Sequence, residues 1–166
     1  EHELTSKLAG PWVKVADAES ISENRMHEIF IDSAQGQMYW NSRGKIKRAK
    51  LDGSEVQVLV SSNNVKLHAL DSVHKKLYWT EQYGALLKRA DLDGKNAVEV
   101  VKFSSNEVLY SVALDLVKNK LYWSKRVFSK DAPMSVVMRA ELDGTQAQQA
   151  FTKDNRVENF FVDGNA

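Results

Sequence analysis

Residues 67–101 read LHALDSVHKKLYWTEQYGALLKRADLDGKNAVEVV, and the landmarks of that stretch recur on both sides of it. Residues 29–60 run IFIDSAQGQMYWNSRGKIKRAKLDGSEVQVLV, and residues 111–151 run SVALDLVKNKLYWSKRVFSKDAPMSVVMRAELDGTQAQQAF. The Tyr-Trp pairs fall at Tyr39-Trp40, Tyr78-Trp79 and Tyr122-Trp123, the Leu-Asp-Gly triplets begin at Leu51, Leu92 and Leu142, and an Asp closes an apolar run at Asp32, Asp71, Asp115 and again at Asp163. Self-similarity at such a period marks a repeat protein, in which each unit buries itself against its neighbours.

The unit is made of strands. Apolar residues do not return at the spacing of a helix face; short β-rich runs alternate with turn residues instead. In the middle repeat the expected strands are Lys66 to Leu70, Lys76 to Thr80, Leu86 to Leu92 and Val98 to Lys102. The Asp-Gly of the triplet, here Asp93-Gly94, supplies the tight turn between the third and fourth. The first strand, apolar on both faces (Phe30 and Ile31; Ala69 and Leu70; Ala113 and Leu114), reads as the innermost. Four antiparallel strands per repeat make a β-propeller blade. The boundaries read as an N-terminal segment over 1–27 with a lone strand (Trp12 to Ala16), blades over 28–65, 66–109 and 110–157, and the first strand of a further blade over 158–166. In the third blade the fourth strand is expected over Gln146 to Phe151.

The Tyr-Trp-Thr-Glu of residues 78–81, the upstream Leu70-Asp71 and the downstream Lys88-Arg89-Ala90 with Leu92-Asp93-Gly94 resemble the class B repeat of the low-density lipoprotein receptor family, the YWTD propeller. The resemblance spans about Glu28 to Phe151 and the stub Asn159 to Gly164. It implies an all-β, YWTD-type β-propeller in which three four-stranded blades plus a partial blade make half of a six-bladed ring. The chain departs from the family where the fourth motif residue, usually Asp, is Ser42, Glu81 and Lys125, and the third is Asn41, Thr80 and Ser124. An open arc would leave apolar blade faces in water, so the ring is expected to close through a homodimer or through the remaining blades of a longer chain. The resemblance favours an extracellular setting, and the residues themselves leave the compartment open.

Composition bounds the chemistry. Hydrophobic residues make up 43% and charged residues 27% of the 166, enough for a packed core, and the formal charge of +1 gives no reason to expect nucleic acid as a partner. No run is long and apolar enough to span a bilayer. The absence of cysteine removes disulfides, thiolate nucleophiles and zinc–cysteine sites. No phosphate loop, dinucleotide fingerprint, nucleophile elbow or zinc-protease motif is present, and the four histidines His2, His27, His68 and His74 have no ligand-like close spacing. Neither a metal nor a cofactor is expected.

What repeats is read as structure and what varies as function. The aspartates at 32, 71 and 115 are assigned to capping the turn between first and second strands, those at 52, 93 and 143 to the Leu-Asp-Gly turns, the Tyr-Trp pairs to blade packing, and Arg48, Arg89 and Arg139 to hydrogen bonds between strands or blades. Alternating strand direction then puts the second-to-third-strand (b–c) loops and the inter-blade (d–a) loops on one face. There the b–c connection grows from residues 41–44 through 80–84 to an insertion read over Ser124 to Ser135. Variable loops on a rigid scaffold are where binding groups sit.

Two functions from different classes follow. A ligand-binding module would present this face or the central channel to a protein or small molecule through Arg43, Tyr83, Ser111, Arg126, Phe128 and Asn159, aromatic and arginine side chains being the usual interface anchors. Alternatively, the channel holds the pocket of a cofactor-independent enzyme that acts by positioning reactants, with Glu28 and His68 as the groups nearest to catalysis. The second reading has a precedent within the resemblance: fungal proteins similar to class B repeats serve as hetero-Diels-Alder cyclases in tropolonic sesquiterpene pathways.

Overall fold

A computed structural model describes residues 29–128 and 134–153. They form three four-stranded antiparallel sheets, each a meander in chain order. Blade 1 comprises β1 (Ile29–Asp32), β2 (Gln37–Ser42), β3 (Lys45–Lys50) and β4 (Gln57–Ser61). Blade 2 comprises β5 (Lys66–Asp71), β6 (Lys76–Glu81), β7 (Leu86–Asp91) and β8 (Val98–Lys102). Blade 3 comprises β9 (Glu107–Asp115), β10 (Lys120–Val127), β11 (Met134–Glu141) and β12 (Gln148–Lys153). The first strands approach one another, β5 lying against both β1 and β9, so they form the inner edge of the arc. The expected lone strand over Trp12 to Ala16 and the further strand over 158–166 lie outside the described residues.

The Tyr-Trp pair explains how the blades stack. Neighbouring residues of a strand point to opposite faces, so each pair sends its Trp to one neighbour and its Tyr to the other. Trp79, with Leu77 and Ala90, packs on Tyr39, Ile46, Val65 and Leu67 between blades 1 and 2. Tyr78, with Ala69, Leu87 and Phe103, meets Leu121, Trp123 and Ala140 between blades 2 and 3. Met38, Trp40 and Ala49, the equivalents on the outer face of blade 1, are buried as a third cluster.

Apart from Arg139, which makes no hydrogen bond among the described residues, the repeated polar residues do the structural tasks their recurrence suggested. Asp71 Oδ1 accepts from the backbone N–H of Val73 (3.0 Å) and His74 (2.8 Å), Asp115 Oδ1 from Val117 (3.1 Å) and Lys118 (2.8 Å), and Asp32 Oδ1 from Gln35 (3.2 Å). All three carboxylates are buried, where an unbonded acceptor would be costly. Asp52, Asp93 and Asp143 accept from the N–H two residues on, at 2.8, 2.9 and 2.9 Å, closing the c–d turns. Arg48 and Arg89 reach across blades: Arg48 Nη1 donates to the Leu92 carbonyl at 3.4 Å, and Arg89 Nη1 to the Leu142 carbonyl at 3.2 Å.

Three readings are corrected. β12 starts at Gln148 rather than Gln146, because Gln146 adopts φ +53 in the turn. The insertion of blade 3 lengthens the hairpin: β10 runs to Val127 and β11 begins at Met134, so Ser124 to Val127 are strand rather than loop. Val127 pairs with Glu107 on β9 across a bulge at Ser124/Lys125, which keeps the longer strand hydrogen-bonded. β1 is not enclosed on both faces either, since Ile29 and Ile31 are exposed while Phe30 packs inward.

Candidate functional site

The b–c hairpins and the d–a connections open onto one face, as the alternation of strand direction requires. In blade 1 its tip is Arg43, exposed at φ +50 and followed by Gly44 at φ +69. In blade 2 a single 3-10 turn, Gln82–Gly84, carries Tyr83 at φ +59 with 83% of its surface in solvent. A tyrosine held in the left-handed region with its ring in water gains nothing from the core. In blade 3 the lengthened hairpin raises Arg126 and Phe128: the Arg126 guanidinium lies 5.6 Å from the Phe128 ring centroid, and the ring is 48% exposed. The d–a connection holds that end in place, since Phe128 N–H donates to the Asn106 carbonyl at 2.8 Å.

The same geometry sorts the remaining candidates. His68 is the extra residue of a bulge in β5, where the register steps from Leu67 to Ala69; it is 9% exposed and its Nε2 lies 2.9 Å from Thr80 Oγ1. Ser111 is half-buried on β9, paired across from Ser124. Glu28 and Asn159 lie outside the described residues. The structure thus brings Tyr83, Arg126 and Phe128 to one face beside β9, and places Arg43 at the corresponding hairpin tip of blade 1.

In the family the Asp at the fourth motif position is expected to tie strands and blades by hydrogen bonds, and the residues that replace it here, Glu81 and Lys125, still make polar links. Glu81 is buried, accepts from Trp79 Nε1 at 2.9 Å and pairs with Lys88 at 3.1 Å. Burial pushes its carboxyl up, but the Trp79, Lys88 and Ser62 donors outweigh that and hold it below the ordinary glutamate range. Ser62 follows blade 1, so this acid ties two blades together. In blade 3 the position is Lys125, which pairs with Glu107 instead. There too burial acts upward on Glu107, and Lys125 with the Ser104 N–H brings its carboxyl below the usual value. The signal was present in the sequence as an exchange of sign between residues 81 and 125.

The arrangement suits recognition better than bond-breaking. Of the described residues, Glu81 and Glu107 on this face are engaged by Lys88 and Lys125, while Lys45, Lys66, Lys102 and Arg126 stand at the strand ends that open onto it. Among the described residues no group of three or more His, Cys, Asp or Glu side chains is placed to hold a metal ion. Nor, among them, is any helix long and apolar enough to cross a membrane.

Three blades of antiparallel meander, stacked through alternating Tyr and Trp around a common inner edge, define a β-propeller, and known proteins agree. The fold aligns with a chain of the nidogen/laminin complex crystal structure at a TM-score of 0.52 and 15% identity, covering 75% of this chain and 61% of that one. In sequence, the low-density lipoprotein receptor-related protein 1 of Pyricularia oryzae is 29% identical over 151 residues, 76% of this chain and 47% of that protein. The low-density lipoprotein receptor-related protein 4 of Mus musculus is 38% identical over 73 residues, 42% of this chain and 4% of that protein. No protein-family model matches the chain. The repeats are thus similar to those of low-density lipoprotein receptor-related proteins, the relatives that the class B, or YWTD, resemblance pointed to. The chain spans about half the length of the first of these relatives and a small fraction of the second.

Proposed function

We propose that the chain is a ligand-binding β-propeller module whose b–c/d–a face takes a protein partner. The observation that carries this reading is the pairing of Tyr83 with the Arg126–Phe128 stack, two aromatic anchors left in solvent on rigid hairpins. Aromatic and arginine side chains supply most of the binding energy at interfaces, and anchors that are already ordered lose little entropy on association. The cations at the surrounding strand ends favour a partner segment that carries carboxylates. The nidogen neighbour, solved with laminin, is in keeping with a protein partner. For the enzyme reading His68 is the testable residue, and its ring nitrogen is already within hydrogen-bond distance of Thr80, as a structural histidine would be.

The test is a peptide-phage library panned on the chain and counter-screened on a Tyr83→Ala/Phe128→Ala double variant. Both positions are exposed, so the variant should melt at the temperature of the parent. The reading expects enriched acidic peptides that bind the variant at least about tenfold more weakly, a loss of roughly 1.4 kcal/mol. Peptides that bind both proteins equally would reject this face.

A further inference from the structure

The two junctions inside the chain are built from the same parts. Between blades 1 and 2, Arg48 donates to the Leu92 carbonyl, while Leu92 and Val60 flank the buried cluster. Between blades 2 and 3, Tyr78 Oη at 2.9 Å and Arg89 Nη1 at 3.2 Å converge on the Leu142 carbonyl, while Leu142 and Val101 flank theirs. The glycine of each triplet seats on the fourth strand of the preceding blade. A Cβ on Gly94 would stand 2.5 Å from the Leu59 carbonyl oxygen, and one on Gly144 would stand 2.4 Å from that of Val100. Each junction therefore sets donors of one blade, Arg48 in the first and Tyr78 with Arg89 in the second, against the Leu-Asp-Gly turn of the next.

The outer faces of the arc display one half each. Tyr122 pairs with Arg139 across β10 and β11 as Tyr78 pairs with Arg89 across β6 and β7, so the donor pair is assembled on blade 3. Among the described residues neither Tyr122 nor Arg139 has a hydrogen-bond or ionic partner, and Arg139 is exposed. Phe151, which takes the register position of Val60 and Val101, is 52% exposed. On blade 1 the Leu-Asp-Gly turn is present and Leu51 is 43% exposed, where Leu92 and Leu142 are partly buried.

We infer that the donor face of blade 3 docks the Leu-Asp-Gly turn of blade 1 from a second copy of this chain. Tyr122 Oη and the Arg139 guanidinium donate to the Leu51 carbonyl, and Phe151 and Leu51 lose their exposure together. A second copy is the occupant because this chain carries both complementary halves, and a head-to-tail contact that recurs closes a ring. Met38, Trp40 and Ala49 are already buried, so the contact centres on the c–d turn rather than on the whole blade face. The surface is separate from the b–c/d–a face, and the two proposals fail independently.

Light scattering over a wide concentration range tests the inference on the chain itself. Wild type is expected to reach twice 18.8 kDa, and Arg139→Ala or Leu51→Asp alone should weaken the dimer at least about tenfold with unchanged melting curves. Mixing the two variants should restore part of the association, because the mixture pairs one intact donor face with one intact turn; a face-to-face dimer would gain nothing. A monomer at every concentration, a dimer indifferent to both substitutions, or no recovery on mixing would overturn it.

Discussion

Blades 2 and 3 share a backbone plan and a buried tryptophan yet wire that tryptophan differently. Trp79 Nε1 donates to Glu81, which in turn holds Lys88. Trp123 is equally enclosed, but its Nε1 has no hydrogen-bond partner, because the residue two places on is Lys125, a donor, which pairs with Glu107. The packing role of the Tyr-Trp pair is thus separable from the polar link that the fourth motif position makes. Blade 2 spends that link on joining its second and third strands and the end of blade 1. Blade 3 spends it on joining its first and second strands, and those are the strands that lengthen to raise Arg126 and Phe128.

The largest effect should not distinguish the blades. Trp79→Ala and Trp123→Ala each remove a fully enclosed indole and should cost about 3–5 kcal/mol, read as a fall in the midpoint of denaturant unfolding. If either variant kept the stability of the parent, that tryptophan would not be a blade-to-blade contact and the stacking scheme would be wrong for that junction.

A smaller effect should separate them. Trp79→Phe leaves the buried Glu81 without one of its donors, whereas Trp123→Phe removes an N–H that had no partner. The first should be the more costly by about 1–2 kcal/mol. Equal costs would mean that the Trp79–Glu81 bond contributes nothing net. The difference carries a sign in pH. The Glu81 carboxyl is held below its ordinary value of 4.5, so its contribution is present above that value and is lost as pH falls through the lower folded value. The stability gap between wild type and Glu81→Gln, followed by urea denaturation, should therefore close on acidification; a gap that widened instead would rule out an ionised Glu81 as the stabilising species.

The subtlest change would make blade 3 imitate blade 2. Lys125→Glu with Glu107→Lys keeps the ion pair, reverses its direction and offers Trp123 Nε1 an acceptor. A gain of about 1 kcal/mol in thermal stability is expected. A loss would show that the lysine orientation is required by the lengthened hairpin.

Much of this was legible in the residues because the repeats act as controls on one another. A residue found at the same place in three blades, such as Asp71 or Gly94, had to serve the shared scaffold, and the Leu-Asp-Gly turns and inter-blade arginines follow that logic. The b–c insertion was harder. Ser124 to Ser135 differs from its counterparts and invited a loop reading, but Lys125 and Val127 find strand partners on β9, a pairing between segments that no local pattern announces. His68 shows the same limit, since nothing in a local apolar run signals that it occupies a bulge and lies against Thr80.

The sequence by itself determined the blade: period, strand count, turn chemistry and the alternation that sends Tyr one way and Trp the other all follow from near-neighbour sterics and from which side chains avoid water. Only the tertiary structure decided which polar groups found partners and which did not. Trp79 and Trp123 look alike in the chain, as do Arg89 and Arg139. What differs is whether an acceptor from another strand or blade arrives within hydrogen-bonding distance, and that depends on the stacking of whole sheets.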